Sequence, residues 1–173
     1  MTLDLEAETL RHFKETVRRN EERRFEVSLP WKEGHPLLLS NKDLAEWRLT
    51  GLTKKLVSSG NFDRYKSELQ EWLVLRVIEE VKEIVCHYLP HHMILKETSA
   101  TTKVRPVFDA LAKDKNGVSL NECSGRVPNM IVLIPQIVIK FRKYAIGIIA
   151  DIEKAFLQMS LYEKDRDFMR FLW

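Results

Sequence analysis

The sequence predicts an α+β protein, because its hydrophobic pattern changes along the chain. From residue 3 to residue 81, apolar residues recur at helical spacing, and strand-like runs and a long polar loop follow. An uncharged, isoleucine-rich stretch at 144–150 stands directly before Asp151. These observations predict helices packed around a β-hairpin, followed by a strand and a further helix.

The N-terminal part is predicted to be helical apart from one short strand. An amphipathic helix is expected over 3–24, and its mixed charged end is interpreted as a solvated face rather than a phosphate contact. The segment 25–29 alternates apolar and polar residues as a strand does. Cap residues open a helix over 40–60, and another follows over 61–81.

A hairpin is predicted in the middle of the chain. Two strand-like runs, 84–95 and 103–109, are joined by the polar segment 96–102, whose length suits a hairpin loop. We expect the two runs to pair antiparallel. Pro106 cannot donate a ladder hydrogen bond, so its strand is either an edge strand or interrupted there.

After the hairpin, the segment 111–128 lacks periodicity and reads as a long loop, with one helical turn at 119–123. The segment 130–142 is ambiguous: its β-branched residues favour a strand, whereas Pro135 and the basic end favour a helix. We choose the helix, over 135–143, because it would cover the strand that follows.

The C-terminal part is predicted to contain two strands and the candidate site. A buried strand is expected over 144–150, with a helix beginning after Asp151. The run 165–173 looks like a strand, and because it ends on apolar residues we expect a truncated reading frame.

Composition excludes several classes of protein. Of 173 residues, 45% are hydrophobic and 31% charged, enough for one domain, or for one domain and part of a second. A net charge of +3 permits a nucleic-acid partner without requiring one. Two cysteines do not make a secreted disulfide framework, no apolar run reaches the roughly 20 residues of a membrane span, and the N-terminus does not resemble a signal peptide. We expect an intracellular, cytoplasmic protein with no membrane partner.

Few residues suggest chemistry by themselves. One cysteine and three histidines between 86 and 92 have the wrong spacing for a structural zinc site. Asp151 is either a solvated helix cap or a metal ligand. Lys96 and Arg105 flank the hairpin loop, where they are either exposed loop cations or able to reach a triphosphate whose magnesium Asp151 holds.

An ordered set of short motifs resembles the reverse transcriptases of BEL/Pao-type retrotransposons, which are RNA-directed DNA polymerases. The resemblance runs from about residue 10 to the last residue, and its motifs lie at 27–32, 88–92, 103–109, 119–121, 141–142, 150–156 and 170–173. It implies part of a right-hand polymerase fold. The segment 1–24 would be an N-terminal helix and linker, 25–143 a fingers-like region with a hairpin and helices, and 144–173 the first strand and helix of the palm.

The resemblance also implies roles for residues of the palm. Asp151 matches the first catalytic aspartate, which binds both Mg²⁺ ions, and the Ile152 carbonyl would be a further ligand. Lys154 and Ala155 would present backbone N–H groups to the triphosphate. Phe156 matches the aromatic gate that excludes a ribose 2′-hydroxyl, although its alternative role is ordinary core.

In the fingers, the resemblance assigns phosphate contacts. Arg105, four residues before Asp109, matches the fingers arginine. Lys96 matches the fingers lysine, and Lys103 is its rival for that role.

The implied reaction is nucleotidyl transfer from a dNTP to a primer 3′-hydroxyl on an RNA or DNA template. That reaction uses two metal ions about 4 Å apart, held by carboxylates. The family places its other two aspartates in a Tyr-x-Asp-Asp-type turn downstream, and this sequence contains no Asp-Asp pair. We therefore expect this chain to be inactive alone. The alternatives are a non-catalytic nucleic-acid-binding or interaction module, or a degenerate remnant of such an element.

Overall fold

The chain is a mixed α+β protein, as its sequence predicts. A computed structural model describes residues 2–82, 84–99, 103–126, 133–150 and 155–173. The described helices are α1 (Thr2–Thr16), α2 (Lys42–Ser58), α3 (Phe62–Val74), α4 (Leu120–Cys123), α5 (Ile134–Phe141) and α6 (Glu163–Arg166), and the strands are β1 (Arg18–Arg19), β2 (Phe25–Val27), β3 (His91–Leu95), β4 (Val104–Phe108) and β5 (Met159–Leu161). None of the helices in these ranges has the length and apolarity needed to cross a membrane.

The elements group into two compact units. Unit 1 consists of Met1–Pro30 with Gly125–Ser160, and unit 2 consists of Trp31–Ser124 with Leu161–Trp173. Each unit joins segments that are far apart in sequence, so long-range contacts define both.

In unit 2, α2 and α3 bury most of the apolar side that their spacing predicts, but Leu73 on α3 is exposed, and Trp72, which that spacing does not include, is buried. Ala45, Leu52 and Leu56 are buried on α2, and Tyr65 and Leu69 on α3. Both helices contact the β3–β4 hairpin, which covers their apolar faces. Burial of these apolar side chains stabilises unit 2.

The third helix is shorter than predicted. It ends at Val74 instead of continuing to residue 81. Arg76 adopts a left-handed conformation with φ of 54°, and the Val77 amide turns back to donate to the Trp72 carbonyl at 2.8 Å. A left-handed residue cannot continue a right-handed helix. The residues after Val74 therefore do not form a helix, although their apolar spacing predicts one.

The predicted hairpin is confirmed, with a shorter first strand. β3 pairs antiparallel with β4, and Ile94 lies opposite Arg105. Residues 84–90 lie outside the strand. Pro106 lies opposite Met93, and among the described residues β4 has β3 as its only partner strand, so Pro106 occupies an edge strand.

The prediction of a strand over 165–173 is wrong. Helix α6 and a 3-10 turn, Asp167–Met169, occupy the first part of this segment. The buried Asp165 carboxylate accepts a hydrogen bond from the Trp31 indole at 2.9 Å, and Arg170 pairs with Asp167. A hydrogen-bonded buried carboxylate favours this turn over an extended strand that would expose it.

The last residues lie beside the start of β3. The Leu89 amide donates to the Arg170 carbonyl at 2.7 Å, and His91 Nε2 donates to the Leu172 carbonyl at 2.8 Å. The ring of Trp173 packs on Tyr65 and His91. The C-terminal end therefore packs against the core of unit 2.

In unit 1, α1 ends at Thr16 instead of continuing to residue 24, and β1 follows it. β1 and β2 pair antiparallel, and β5 lies beside β2 to give the sheet order β1-β2-β5. Helix α5 begins with Pro135 in its first turn, which confirms the choice of helix over strand there.

The prediction of a buried strand over 144–150 is also wrong. These residues have no regular secondary structure, and the side chains of Ile148 and Ile149 are 85% and 88% exposed. A strand requires partner strands to satisfy its backbone groups. No described strand pairs with this segment.

The helix expected after Asp151 is shorter than predicted within the described residues. Ala155–Gln158 forms a 3-10 turn, and β5 follows it directly. The helical spacing of the apolar residues does not extend into a longer helix here, because the next three residues join the sheet.

Candidate phosphate-binding and nucleic-acid surface

The hairpin brings three predicted phosphate ligands together at one end. We call residues 96–99 and 103–105 the hairpin tip. The Lys96 amide donates to the Lys103 carbonyl at 2.8 Å, and the Ser99 amide donates to the Lys96 carbonyl at 2.9 Å. Arg105 Nη2 donates to Ser99 Oγ at 3.5 Å. The prediction that Lys96 and Arg105 flank the loop is confirmed, and Lys103 lies between them.

Strand alternation gives the two faces of the hairpin different chemistry. Val104 is buried and belongs to the face that packs on the helices. Lys103 and Arg105, one residue to either side of it, are exposed on the opposite face, which β3 shares through Ile94. Two cations therefore project to solvent from a strand whose other face is anchored.

A second cationic surface lies beside the first strand of the hairpin. A cleft of about 450 Å³ separates α2 from the start of β3. It is lined by Trp47, Arg48, Thr50, Gly51, Leu52, Lys54, Lys55, Pro90, His91 and His92. None of these residues is acidic, so the cleft suits an anion.

The α2 wall of this cleft combines an exposed aromatic ring with open backbone. Trp47 is 72% exposed. Gly51 stands one turn later, and a Cβ built at Gly51 would meet no atom within 4 Å. Lys54 and Lys55 follow on the same side after another turn and are exposed. A glycine in the middle of a helix costs about 1 kcal/mol relative to alanine, and here no packing contact requires it.

Sequence reasoning missed this cleft, although a signal was present. The buried stripe of α2 defines its opposite face, and that face carries a tryptophan, a glycine and two lysines at helical spacing. What the sequence could not supply is the other wall, because the residues at 90–92 are far away in the chain.

The histidine on the inner wall is structural. His91 Nδ1 accepts a hydrogen bond from the Tyr65 hydroxyl at 2.7 Å, and Nε2 donates to Leu172. Burial lowers the pKa of His91 and raises the pKa of Tyr65, so both are neutral at pH 7. The exposed His92 is the histidine available to a ligand in this cleft.

Arg48 forms an ion pair at the edge of the cleft. Its guanidinium donates to the Asp109 carboxylate. Asp109 is in turn held by its amide, which donates to the Pro90 carbonyl at 2.8 Å. These contacts join α2 to the open end of the hairpin, where β3 begins and β4 ends.

The predicted palm residues are mostly not described. Asp151, Ile152 and Lys154 lie outside the described residues. Ala155 is exposed at the start of the 3-10 turn, and Phe156 follows it with a side chain outside the described set. The metal and gate roles therefore remain predictions.

The described residues contain no group of three or more side chains of the kind that hold a metal ion. Two of the three histidines between 86 and 92 form hydrogen bonds within the protein. His87 is buried and donates through Nδ1 to the Leu39 carbonyl at 3.2 Å, and His91 holds the contacts described above.

Comparisons of the chain with protein-family models, curated proteins and solved structures found no match.

Proposed function

We propose that this chain supplies the fingers and the first part of the palm of a retroelement reverse transcriptase, and that its hairpin tip binds the triphosphate of the incoming nucleotide. One observation carries the proposal: the register of β3 and β4 gathers Lys96, Lys103 and Arg105 around one loop. The resemblance to BEL/Pao-type reverse transcriptases predicts phosphate contacts for these same residues.

The hairpin suits this task in two respects. Its inner face is anchored, since Val104 is buried and Asp109 is paired with Arg48. Its outer face presents a guanidinium and ammonium groups, which neutralise charge on a transferring phosphoryl group. Because the anchored face holds the strands, we expect phosphate binding to rearrange mainly the side chains of Lys103 and Arg105.

The metal site would involve residues that this chain supplies only in part. A carboxylate and a backbone carbonyl are oxygen ligands of the kind that Mg²⁺ prefers, which fits the proposed roles of Asp151 and Ile152. Bound Mg²⁺ would offset charge on the phosphates and activate the primer hydroxyl. One carboxylate does not hold two metal ions, so we expect catalysis to require aspartates that this sequence does not contain.

A primer-extension assay tests the proposal. With an RNA template, a DNA primer, Mg²⁺ and nucleotides, we expect incorporation no greater than that of Asp151→Ala. In the same samples, dTTP should bind the unaltered chain, and Arg105→Ala should weaken that binding about tenfold through the lost phosphate contact. Incorporation greater than that of Asp151→Ala would contradict the proposal that the catalytic site is incomplete. Equal dTTP affinity in the unaltered chain and in Arg105→Ala would contradict the proposed role of the hairpin tip.

A non-catalytic nucleic-acid-binding module is the second candidate, and the cleft between α2 and β3 favours it. An exposed tryptophan beside lysines is the combination that binds single strands, in which bases stack on the ring and phosphates meet the cations. Trp47, Lys54 and Lys55 provide it on one helix face. This function needs no metal.

Binding of a short oligo(dT) tests the cleft. We expect Trp47→Ala to weaken binding about tenfold because a stacking partner is lost, whereas Trp47→Phe keeps most of the affinity. Replacing Lys54 and Lys55 with glutamine should reduce the slope of log affinity against log salt by about 1.4, since two phosphate contacts are lost. Fluorescence anisotropy across a salt series measures both effects. Lys115→Gln, which alters an exposed loop lysine, is the control, and equal losses in the control and the cleft variants would rule the cleft out.

A further inference from the structure

One carboxylate lies among the cations of the hairpin tip. Glu97 is the only acidic residue between Lys96 and Arg105. Its Oε1 accepts a hydrogen bond from Arg64 Nη1 at 3.0 Å. Arg64 belongs to α3, so this ion pair joins the tip to a helix that no sequence motif connects with it.

Glu97 interacts with a second cation on the other side of the tip. The hydrogen bond from Arg64 lowers the pKa of Glu97, and the charges of Arg64 and Lys103 lower it further, against desolvation, which raises it. Glu97 is therefore ionised at neutral pH and lies within the combined field of both cations.

The Arg64 guanidinium is oriented towards the tip before any ligand arrives. Its Nη1 also donates to the side-chain oxygen of Asn61 at 3.1 Å, at the start of α3. A guanidinium with this orientation can donate to phosphate oxygens through more than one N–H group. A carboxylate in contact with it occupies the position that a phosphate oxygen would take.

We propose that Arg64 is a further phosphate ligand of the hairpin tip, and that Glu97 is its internal counter-ion, which a bound polyphosphate displaces. The proposal rests on the hairpin tip being the phosphate site of the proposed function. It adds a residue from outside the hairpin and an electrostatic competitor within it.

The competition is expected to be modest. The side chains of Arg64 and Glu97 are 41% and 58% exposed, and exposed ion pairs contribute little to stability. A polyphosphate carries several charges and more acceptor oxygens than one carboxylate, so it can displace Glu97. In the absence of ligand, the pair limits the positive potential of the tip.

Titration of the unaltered chain and its variants with inorganic tripolyphosphate, without metal and at low ionic strength, tests the proposal. Glu97→Gln is expected to tighten binding by about two- to fivefold, because the competing charge is removed. Arg64→Ala is expected to weaken it by about fivefold through the lost charge-assisted hydrogen bonds. Both effects should diminish as salt is added.

Two controls make the result specific. Glu33→Gln changes the net charge by the same amount at an exposed glutamate of another turn, and it should leave the affinity within about twofold of the unaltered chain. The tripolyphosphate affinities of Lys96→Ala and Arg105→Ala show whether the ligand binds at the hairpin tip, and both variants are expected to bind it more weakly. Circular dichroism of each variant verifies that the fold is kept.

The outcomes separate this proposal from the proposed function. If Lys96→Ala and Arg105→Ala weaken binding but Glu97→Gln behaves as Glu33→Gln does, or Arg64→Ala has no effect, the displacement proposal is wrong and the phosphate site stands. If the chain binds tripolyphosphate without dependence on Lys96 or Arg105, or does not bind it at all, both are overturned.

Discussion

Replacing Leu56 with alanine is expected to lower the free energy of unfolding of unit 2 by about 3 kcal/mol. Leu56 is 1% exposed on α2, on the face that contacts α3 and the hairpin. Removing a fully buried leucine side chain loses its transfer free energy and leaves a cavity that rigid neighbours do not fill. The substitution would also weaken the packing of α2 on β3, and these two elements line the cleft.

Val57→Ala is the matched control, because Val57 is the next residue and is 62% exposed. Its effect should be below about 0.5 kcal/mol. Urea unfolding followed by tryptophan fluorescence measures both, since Trp31, Trp47, Trp72 and Trp173 all lie in unit 2. Similar losses for the two variants would contradict the packing described for α2.

Unit 2 is also expected to lose stability as the pH falls below about 6.5. Burial is the main cause that lowers the pKa of His87 and of His91, so both are neutral in the folded protein. In the unfolded chain they titrate near 6.5. Between the folded and the unfolded pKa the unfolded state therefore binds more protons, and the stability present above pH 6.5 declines as pH decreases. Each histidine can contribute a slope of up to about 1.4 kcal/mol per pH unit.

Urea midpoints between pH 7.5 and pH 5.5 measure this slope. His91→Gln keeps a donor and an acceptor but does not titrate, so its stability should fall less steeply with pH than that of the unaltered chain. The comparison uses slopes and not absolute stabilities, because His91→Gln also loses the contacts to Tyr65 and Leu172. Equal slopes in the two proteins would show that His91 does not account for the pH dependence of stability.

Local patterns predicted the elements whose structure depends on near neighbours. The spacing of Ala45, Leu49, Leu52 and Leu56 predicted α2 and its apolar face, and the helix is confirmed with all of these residues buried except Leu49, which is half-buried. A single helical turn was predicted at 119–123, and α4 confirms it; in the structure the Ser119 amide donates to the Glu122 carboxylate at 2.9 Å. Helix propensity, capping and turn chemistry act within a few residues, so these elements could be read from the sequence.

The same patterns failed where distant residues decide. The isoleucines at 144–150 read as a buried strand, but a strand exists only with partners, and none of the described strands pairs with them. The run 165–173 reads as a strand, but Trp31, 134 positions away from Asp165, donates a hydrogen bond that favours a helical turn. Neither the lack of a partner strand at 144–150 nor the hydrogen bond between Trp31 and Asp165 can be read from residues that are near in sequence.

The sequence by itself determined the α+β class, a hairpin formed by the runs 84–95 and 103–109, and the presence of three cations at its end. Only the tertiary structure decided what surrounds those cations. It brings Arg64 to Glu97 across 33 positions of sequence, and it sets the Trp47 face of α2 opposite β3 to form the cleft. The physical reason is that charge and stacking act through space, whereas sequence periodicity reports only on neighbours along one element.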